Sequence, residues 1–252
     1  MAWLKVDGLL AALFPRRCIL CDQPAGLLNC CAGCRQDLPW ITSPCARCGE
    51  VLPTGYAGKV CGRCGALTAA IDRIVSALVY EYPVDRLIAM AKFQGRVDSA
   101  NALGELLAVY LLGGLSTGEL TLPDLILPVP LHPRRMAQRG FNQAAEIARP
   151  LARSLCIPIQ SQACRRIRNT AEQTRIDAAD RPKNTRDAFR ALDNVAGKNI
   201  AVVDDVLTTG STGQSVAIAL RNAGAGQIQI WTVARTVNPA IGRQRLLPAS
   251  LE

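Results

Sequence analysis

The stretch from Ile200 to Thr212 constrains the fold of this chain most strongly, and it reads I-A-V-V-D-D-V-L-T-T-G-S-T. A short apolar run rich in valine is typical of a strand that is buried on both faces of a parallel sheet. Helical periodicity follows from Gln214 to Asn222, so the order is strand, acid pair, polar turn and helix. This order predicts an α/β fold with a parallel sheet.

The polar part of this stretch predicts a ligand site. Asp204 and Asp205 follow the apolar run, so we expect both at the solvent-facing carboxyl end of the strand, where open α/β sheets bind ligands. Adjacent carboxylates can accept hydrogen bonds from two ribose hydroxyls or hold Mg²⁺ through water. Between Thr208 and Thr212, backbone N–H groups and hydroxyls would meet at a helix N-terminus, which favours phosphate. The stretch is not a Walker P-loop, because no lysine follows the glycine.

Composition and charge limit the class of protein. The chain has 252 residues, of which 49% are hydrophobic, which is enough for a real core. Its formal net charge of +9 predicts an anionic partner, either a phosphate-rich substrate or nucleic acid. From residue 127 to 190 there are thirteen Lys/Arg against five Asp/Glu, and arginine forks match phosphate groups. No export signal is recognisable and no apolar run reaches 18 residues, so we expect a cytoplasmic protein without membrane insertion.

Nine of the eleven cysteines precede residue 65 and contain four C-x-x-C pairs. The pairs are Cys18 with Cys21, Cys31 with Cys34, Cys45 with Cys48, and Cys61 with Cys64. Eight thiolates suit two tetrahedral Zn²⁺ ions, with a structural role because no coordination position is left open. Sequential pairing gives two consecutive zinc ribbons, and a crossed pairing of first with third and second with fourth satisfies the same ligand count.

Other interpretations of the cysteines are weaker or concern single residues. A disulfide framework belongs to secreted chains, which the missing export signal disfavours. Cys30 could replace Cys31 as a ligand, although its spacing to Cys34 fits less well. Composition changes near residue 70, which predicts a double zinc-ribbon domain over 1–68 and a sheet domain over 69–252 with separate sources of stability.

Periodicity places the remaining elements. We expect strands over 71–82, 125–129 and 227–233, and helices over 84–93, 100–112 and 142–155. Lys92 lies between the first two helices, where such a residue is usually solvated. The only histidine, His132, lies in a loop, where a contact to phosphate or backbone is favoured over general-acid catalysis. Residues 165–190 lack periodicity and predict a long functional or mobile loop.

Four segments together resemble the ComF family of competence and DNA-uptake proteins. They are the cysteine pairs, the segment from Tyr80 through K-F-Q-G-R, the P-V-P-L-H-P-R-R block with R-G-F-N-Q, and Q-T, R-P-K-N and A-F before V-V-D-D-V-L-T-T-G-S-T. The resemblance implies a double zinc ribbon joined to a type I phosphoribosyltransferase domain, whose parallel sheet is flanked by helices.

The resemblance also implies roles for individual residues. Asp204 and Asp205 match the catalytic, ribose-binding acids of the site for phosphoribosyl pyrophosphate (PRPP). The other matched positions are Thr208, Thr209, Gly210, Ser211 and Thr212 in the 5′-phosphate loop; Val129, Pro130, Leu131 and His132 in the pyrophosphate loop, with Arg134, Arg135 and Arg139 nearby; and Gln173, Arg181 and Asn184 in a flexible loop. Thr208 stands where many purine-salvage enzymes carry aspartate, which disfavours purine salvage.

Two functional hypotheses follow. The first is a phosphoribosyltransferase, a pentosyl-transferring glycosyltransferase that binds PRPP or a related phosphorylated ribose with Mg²⁺ and uses an unknown acceptor. The second is a non-catalytic accessory protein of the competence machinery that handles single-stranded DNA, with the pocket as a PRPP sensor or relic. Basic charge, including Arg165, Arg166 and Arg168, favours the second hypothesis, whereas 4% aromatic content offers few platforms for base stacking.

Overall fold

The computed structural model describes residues 16–53, 55–56, 58–62, 64, 70–168 and 188–237. The predicted flexible-loop residues Gln173, Arg181 and Asn184 lie outside these ranges. The elements are α1 Ala32–Gln36, β1 Arg73–Val79, α2 Val84–Phe93, α3 Val97–Ser116, β2 Leu125–Pro128, α4 Pro133–Arg139, α5 Gln143–Leu155, β3 Cys164–Arg166, β4 Phe189–Ala191, β5 Ile200–Leu207, α6 Ser211–Asn222 and β6 Ile228–Arg235.

The main sheet has four parallel strands in the order β1-β6-β5-β2. In register, Ile200 of β5 lies between Leu125 of β2 and Ile228 of β6. Every residue of β6 and the first four of β5 are buried, as expected for central strands covered on both faces. The predicted parallel α/β sheet is therefore confirmed.

Helices cover both faces of the sheet, and the alternation along β5 shows how. Ala201 and Val203 pack into the core beneath α2, α3 and α5, whereas Ile200 and Val202 pack into the core beneath α6. This follows from the two-residue period of a strand, which sends successive side chains to opposite faces. The valine-rich run is thus apolar throughout because each face has its own helical layer.

Helices α3 and α5 approach each other unusually closely at Gly104. A Cβ atom at this position would clash with the carbonyl oxygen of Ile147 and with the ring of Pro150. Glycine in a helix interior is normally unfavourable relative to alanine. Here the missing side chain is what lets the two helices pack.

Two segments differ from the prediction. The sequence R-R-M-A-Q-R, expected as loop, forms the short helix α4, with Pro133 at its first turn and Gly140 at its C-terminus with φ of 76°. Only seven residues long, α4 lacks enough turns to give a periodic signal. The ends of the predicted 165–190 loop form an antiparallel pair, β3 with β4, in which Arg166 lies opposite Phe189.

The cysteine-rich segment covers the outer edge of β1. The Ile41 N–H donates to the Ala77 carbonyl at 2.9 Å, and the Val79 N–H donates to the Pro39 carbonyl at 2.9 Å. An uncovered edge strand presents unpaired backbone groups, so these bonds protect the sheet. Within the described ranges, no helix has the length and apolar character that crossing a membrane requires.

Candidate functional site

A cavity of about 570 Å³ opens at the carboxyl ends of the central strands. It brings together most of the predicted site, namely Val129, Leu131, Arg135, Arg139, Asp204, Asp205, Thr208, Gly210, Ser211 and Thr212. Pro130, His132, Arg134 and Thr209 lie beside these residues but are not among those that line the cavity. A second cavity of about 580 Å³ lies between the ribbons, β1 and α3, and it contains neither the acid pair nor the polar turn.

The acid pair lies within β5, which continues to Leu207, rather than after the strand. The Asp205 side chain is only 13% exposed, and its Oδ2 lies 3.4 Å from Nζ of Lys92. The expectation that both acids face solvent is therefore wrong for Asp205. The carboxylate of each acid also accepts the N–H of the following residue, at 2.9 Å for Asp204 and 2.8 Å for Asp205.

Burial raises the pKa of Asp204 to about 7, and the negative charge of Asp205 raises it further in the same direction. The backbone N–H of Asp205 and the charge of Lys92 oppose this shift without cancelling it. Two adjacent carboxylates resist joint ionisation because their negative charges repel each other. They therefore favour the binding of groups that stabilise negative charge. Ribose hydroxyls and a divalent cation are such groups.

The polar turn has the local geometry that favours an anion. Gly210 adopts φ of 77° before the first residue of α6, and a Cβ atom there would lie 3.6 Å from Cδ1 of Leu207. Thr209 Oγ1 lies 3.2 Å from Ser211 Oγ and accepts the Ser211 N–H at 3.4 Å. The first-turn N–H groups of a helix have no intrahelical acceptor, and the helix dipole is positive at this end. The turn thus presents donors and positive potential to the cavity.

Helix α4 and the start of α5 supply another wall of the cavity. Arg139 donates from Nη1 to Oε1 of Gln143 at 2.8 Å, which orients a guanidinium that lines the cavity. Asn142 accepts the Ala144 N–H at 3.0 Å and donates from Nδ2 to the Val129 carbonyl at 3.0 Å. The segment after β2 is therefore tied to the helix that follows it.

Arg166 of β3 also lines this wall, although the sequence assigned it to a DNA-binding loop. Its guanidinium carbon lies 5.4 Å from the centre of the Phe189 ring. Burial and the charge of Arg135 lower the pKa of Arg166, while the charge of Asp204 raises it. The two arginines and the acid therefore share one electrostatic environment.

Several lining residues were missed as site residues. Lys92, expected to be solvated, pairs with Asp205, and Tyr80, Phe93 and Gln143 also line the cavity. The signal for Lys92 was its place in K-F-Q-G-R. The sequence contains no signal that places Arg166 at the cavity, because β3 has only three residues and is too short to show a period.

His132 has a backbone contact, which was the favoured interpretation. Its Nδ1 accepts the Arg134 N–H at 3.3 Å and caps helix α4. This capping bond occupies one ring nitrogen and fixes the start of the helix that carries Arg135 and Arg139.

The eight paired cysteines form two quartets. Cys18, Cys21, Cys31 and Cys34 form the first quartet, and Cys45, Cys48, Cys61 and Cys64 form the second. Sequential pairing is therefore confirmed and the crossed alternative is wrong. Cys30 is buried and its sulfur lies outside the first quartet, so Cys31 is the ligand candidate.

The sulfur geometry fits zinc. Sγ–Sγ distances are 3.7 Å for Cys21 to Cys31 and 3.5 Å for Cys45 to Cys64. Tetrahedral Zn–S bonds of about 2.3 Å place sulfurs about 3.8 Å apart, whereas a disulfide bond is about 2.05 Å long.

The electrostatics of the thiols also suit a cation. Burial opposes ionisation of Cys45, but backbone N–H groups, including that of Cys61 at 3.2 Å, lower its pKa to about 6. Burial raises the pKa of Cys48 and Cys64 in the same quartet, and hydrogen bonds with the thiols of Cys45 and Cys61 raise it further.

Comparison with known proteins decides the family. The family described as Double zinc ribbon domain matches residues 9–65, and the family described as Phosphoribosyl transferase domain matches residues 137–243. The chain is 38% identical over 225 residues to the DNA utilization protein YhgH of Salmonella typhi, covering 88% of this chain and 98% of that protein. It is 33% identical over 227 residues to competence protein F of Haemophilus influenzae, with coverage of 88% and 98%. The chain belongs to the ComF family.

As a ComF-family protein, the chain combines two zinc-ribbon cysteine sites that fit structural Zn²⁺ with a phosphoribosyltransferase fold. Among solved structures, it matches the glutamine phosphoribosylpyrophosphate (PRPP) amidotransferase from B. subtilis complexed with ADP and GMP. That match has 22% identity and a TM-score of 0.35, and it covers 53% of this chain and 26% of that one. The likeness is too weak to indicate a ligand for the ComF-family chain.

Proposed function

We propose that this ComF-family protein binds PRPP, or a related phosphorylated ribose, together with Mg²⁺ and transfers the phosphoribosyl group to an acceptor. The observation that carries the proposal is a single cavity of about 570 Å³ lined by an acid pair, a helix N-terminus and several cationic side chains. PRPP has hydroxyls, a phosphate and a pyrophosphate, and the cavity offers a complementary group to each.

Asp204 and Asp205 would bind the ribose. Each carboxylate can accept a hydroxyl hydrogen bond, and such charge-assisted bonds are about twice as strong as neutral ones. The polar turn from Thr208 to Thr212 would receive the 5′-phosphate through its N–H groups and hydroxyls. Both contacts would hold the sugar at the end of β5, and the arginines of the same cavity would be available to the group bound to C1.

Arg135, Arg139 and Arg166 would bind the pyrophosphate. Negative charge grows on this group as its bond to C1 breaks, so positioned guanidinium groups stabilise the transition state more than the ground state. Mg²⁺ bound with the substrate would supply further neutralisation of that charge, held on the protein side by Asp204 and Asp205. The acid pair fits this role because both carboxylates line the cavity.

Calorimetric titration with PRPP and Mg²⁺ tests the proposal. The parent protein should bind, and the double variant Asp204→Asn, Asp205→Asn should not, because amides cannot replace two charge-assisted acceptors worth roughly 1.5–3 kcal/mol each. Asp98→Asn is a matched control, since Asp98 pairs with Arg96 outside the lining of the cavity. If the double variant bound PRPP like the parent, the proposed site would be wrong.

A second function, the handling of single-stranded DNA, is favoured by the printed names of the relatives, DNA utilization protein and competence protein. Two structural features add support. Tyr82 and Phe93 are 70% and 74% exposed, and Phe93 lines the mouth of the cavity, so stacking platforms exist despite the low aromatic content. Arg165 and Arg168 are exposed beside Arg166 and can contact phosphates.

Salt-dependent binding of single-stranded DNA tests this second function. Arg165→Ala with Arg168→Ala should weaken affinity equally across sequences and reduce the salt slope by about two phosphate contacts. PRPP binding should be unaffected, because neither residue lines the cavity. An unchanged salt slope would remove this surface from consideration. DNA uptake by a competent host that carries the Asp204→Asn, Asp205→Asn variant would show whether the two functions are linked.

The proposal includes the compartment and the domain boundary. Thiolate zinc sites without disulfides suit the reducing cytoplasm, where we place the protein. We retain a double zinc-ribbon domain over 1–68 and a phosphoribosyltransferase-like domain over 69–252. Limited proteolysis after zinc removal should cut first within residues 16–64 if this boundary is correct.

A further inference from the structure

Arg235, the last residue of β6, holds the second zinc ribbon from within the sheet. Its buried side chain donates from Nη1 to the Cys48 carbonyl at 2.7 Å and from Nη2 to Oε2 of Glu50 at 2.8 Å. The side chains of Arg235 and Glu50 are 7% and 8% exposed. A planar guanidinium fork that makes two such bonds fixes the orientation of the turn after Cys45.

The same turn packs directly on the backbone of β1. Gly49 has φ of 65°, and a Cβ atom there would lie 3.0 Å from the Ile74 carbonyl oxygen and 3.5 Å from the Ser76 nitrogen. The Ile74 N–H donates to the Arg47 carbonyl at 2.8 Å. The turn that carries Cys45 and Cys48 therefore contacts the sheet through both Arg235 and β1.

The backbone of Arg235 reaches the candidate site. It pairs with Leu207, the last residue of β5, and its carbonyl accepts the Tyr80 N–H at 2.8 Å. The Thr236 N–H donates to the Leu207 carbonyl at 3.0 Å. Leu207 immediately precedes the polar turn and lies beneath Gly210, and both Tyr80 and Leu207 line the cavity. One residue thus joins the second quartet to the end of the strand that presents the turn.

We propose that Arg235 couples the second zinc site to the polar turn, so that zinc at Cys45, Cys48, Cys61 and Cys64 and a phosphate ligand in the cavity strengthen each other's binding. The identity of that ligand rests on the proposed function. Coupling between two binding sites is reciprocal, and its usual size is about 5- to 150-fold in affinity.

The first quartet provides an internal comparison. Its surroundings are held to α3, where Asn29 N–H donates to Oε2 of Glu105 at 2.6 Å and Arg16 Nη1 lies 3.2 Å from Oε1 of the same residue. Glu105 does not line the candidate cavity. Zinc in the first quartet should therefore bind independently of a phosphate ligand.

Three variants separate these contacts. Arg235→Lys keeps the positive charge but replaces the two-pronged fork with a single ammonium group. Glu50→Gln with Arg235→Met removes both charges together, so no buried charge is left without its partner. Arg16→Met breaks the ion pair that joins the first ribbon to α3 and serves as the matched control.

Zinc release from the full-length protein to a zinc-selective colorimetric chelator is the direct test. PRPP with Mg²⁺ should slow release from the second quartet by about 5-fold or more and leave the first quartet unchanged. Cys64→Ser identifies the second-quartet phase by removing it. The slowing should persist in Arg16→Met, fall in Arg235→Lys and disappear in the Glu50→Gln, Arg235→Met variant. Equal slowing at both quartets, or full slowing in that double variant, would overturn the coupling.

The coupling through Arg235 can be tested separately if the proposed PRPP binding is not observed. If calorimetry shows that the parent does not bind PRPP, hydrogen exchange can compare the parent with Cys64→Ser without any ligand. The coupling predicts that exchange in the variant accelerates more at residues 207–213 than at β2. Unchanged exchange at 207–213 would overturn the role of Arg235 whatever the ligand.

Discussion

The Nζ atom of Lys92 lies 3.4 Å from Oδ2 of Asp205, which joins α2 to the end of β5 across the candidate site. Lys92 is therefore a counter-charge for an acid that is largely removed from water. The pair also supplies one of the charges that oppose the upward shift in the pKa of Asp204. A residue that the sequence suggested was solvated thus contributes to the charge balance of the acid pair.

Replacement of Lys92 by methionine should destabilise the protein by about 1 kcal/mol, because the largely buried Asp205 loses its ion-pair partner. Urea unfolding of the parent, Lys92→Met, Asp205→Asn and the double variant measures the interaction as a double-mutant cycle. Arg96→Met, which breaks an exposed ion pair with Asp98, is the control and should change little. A cycle with no interaction energy would show that the two charges do not stabilise each other.

Asp204→Asn should stabilise the protein at alkaline pH. The folded parent holds the Asp204 proton to about pH 7, whereas the unfolded chain releases it near pH 4. Stability is therefore lost as pH rises between these values, and asparagine avoids this loss because it does not ionise. The difference in the free energy of unfolding, variant minus parent, should be roughly 1–3 kcal/mol larger at pH 8 than at pH 5, at about 1.4 kcal/mol per pKa unit.

Urea unfolding in Mg²⁺-free buffer at both pH values checks this prediction. Asp98→Asn is a control of opposite sign, since a hydrogen bond from Arg96 lowers the pKa of Asp98. Its carboxylate stabilises the fold above the unfolded pKa, so the variant should be less stable than the parent at pH 8 and similar to it in acid. A pH-independent difference for Asp204→Asn would contradict the raised pKa.

The purified protein should contain close to two Zn²⁺ ions per chain by elemental analysis, because each quartet offers four thiols at zinc-binding distances. Cys64→Ser should reduce the content to about one. Cys156→Ser is the control, since Cys156 is exposed and outside both quartets, and it should retain two. One zinc in the parent would contradict the double ribbon.

Removal of zinc should also lower the thermal stability of the sheet domain. The sequence predicted separate sources of stability, but the cysteine-rich segment bonds to the edge of β1, and thiols of both quartets lie in the same core clusters as residues of the main sheet. Differential scanning calorimetry with and without a chelator measures the effect. A sheet transition at the same temperature in both conditions would restore the original expectation.

Gly104→Ala should destabilise the protein although alanine is the better helix former. The added Cβ would meet the Ile147 carbonyl and Pro150, and forced separation of packed helices typically causes a loss of about 1–3 kcal/mol. Gly113→Ala, in the same helix with no atom within 4 Å of the new Cβ, is the matched control and should stabilise by up to about 1 kcal/mol. Equal thermal shifts for the two variants would contradict the close approach.

Local sequence signals predicted the elements that have a period or a fixed spacing. The valine run predicted β5 and its neighbouring acids, and the C-x-x-C pairs predicted the metal-binding cysteines. In each case the residues that act together are adjacent in sequence. Sequence could not choose between sequential and crossed quartets, since both satisfy four ligands per ion. That choice depends on how the turns pack against β1 and α3.

Contacts between segments that are distant in sequence could not be predicted from local sequence signals. Arg166 reaches the cavity only because β3 pairs with β4 across residues 169–187, and Lys92 meets Asp205 only because α2 lies over the end of β5. Helix α4 was missed because a seven-residue helix with exposed faces carries no apolar period. Chemistry-bearing residues were identifiable by type, but their grouping was set by the tertiary fold.

The pairing of β1 has a consequence for synthesis on the ribosome. In the sheet β1 pairs with β6, so Arg73 cannot pair until Gln229 has been translated, 156 residues later. At about 5–20 residues per second, this interval lasts roughly 8–30 seconds. The zinc-binding segment is translated before β1 and bonds to the opposite edge of β1. We therefore expect metal capture by the nascent chain to shield this apolar strand from aggregation until its partner emerges.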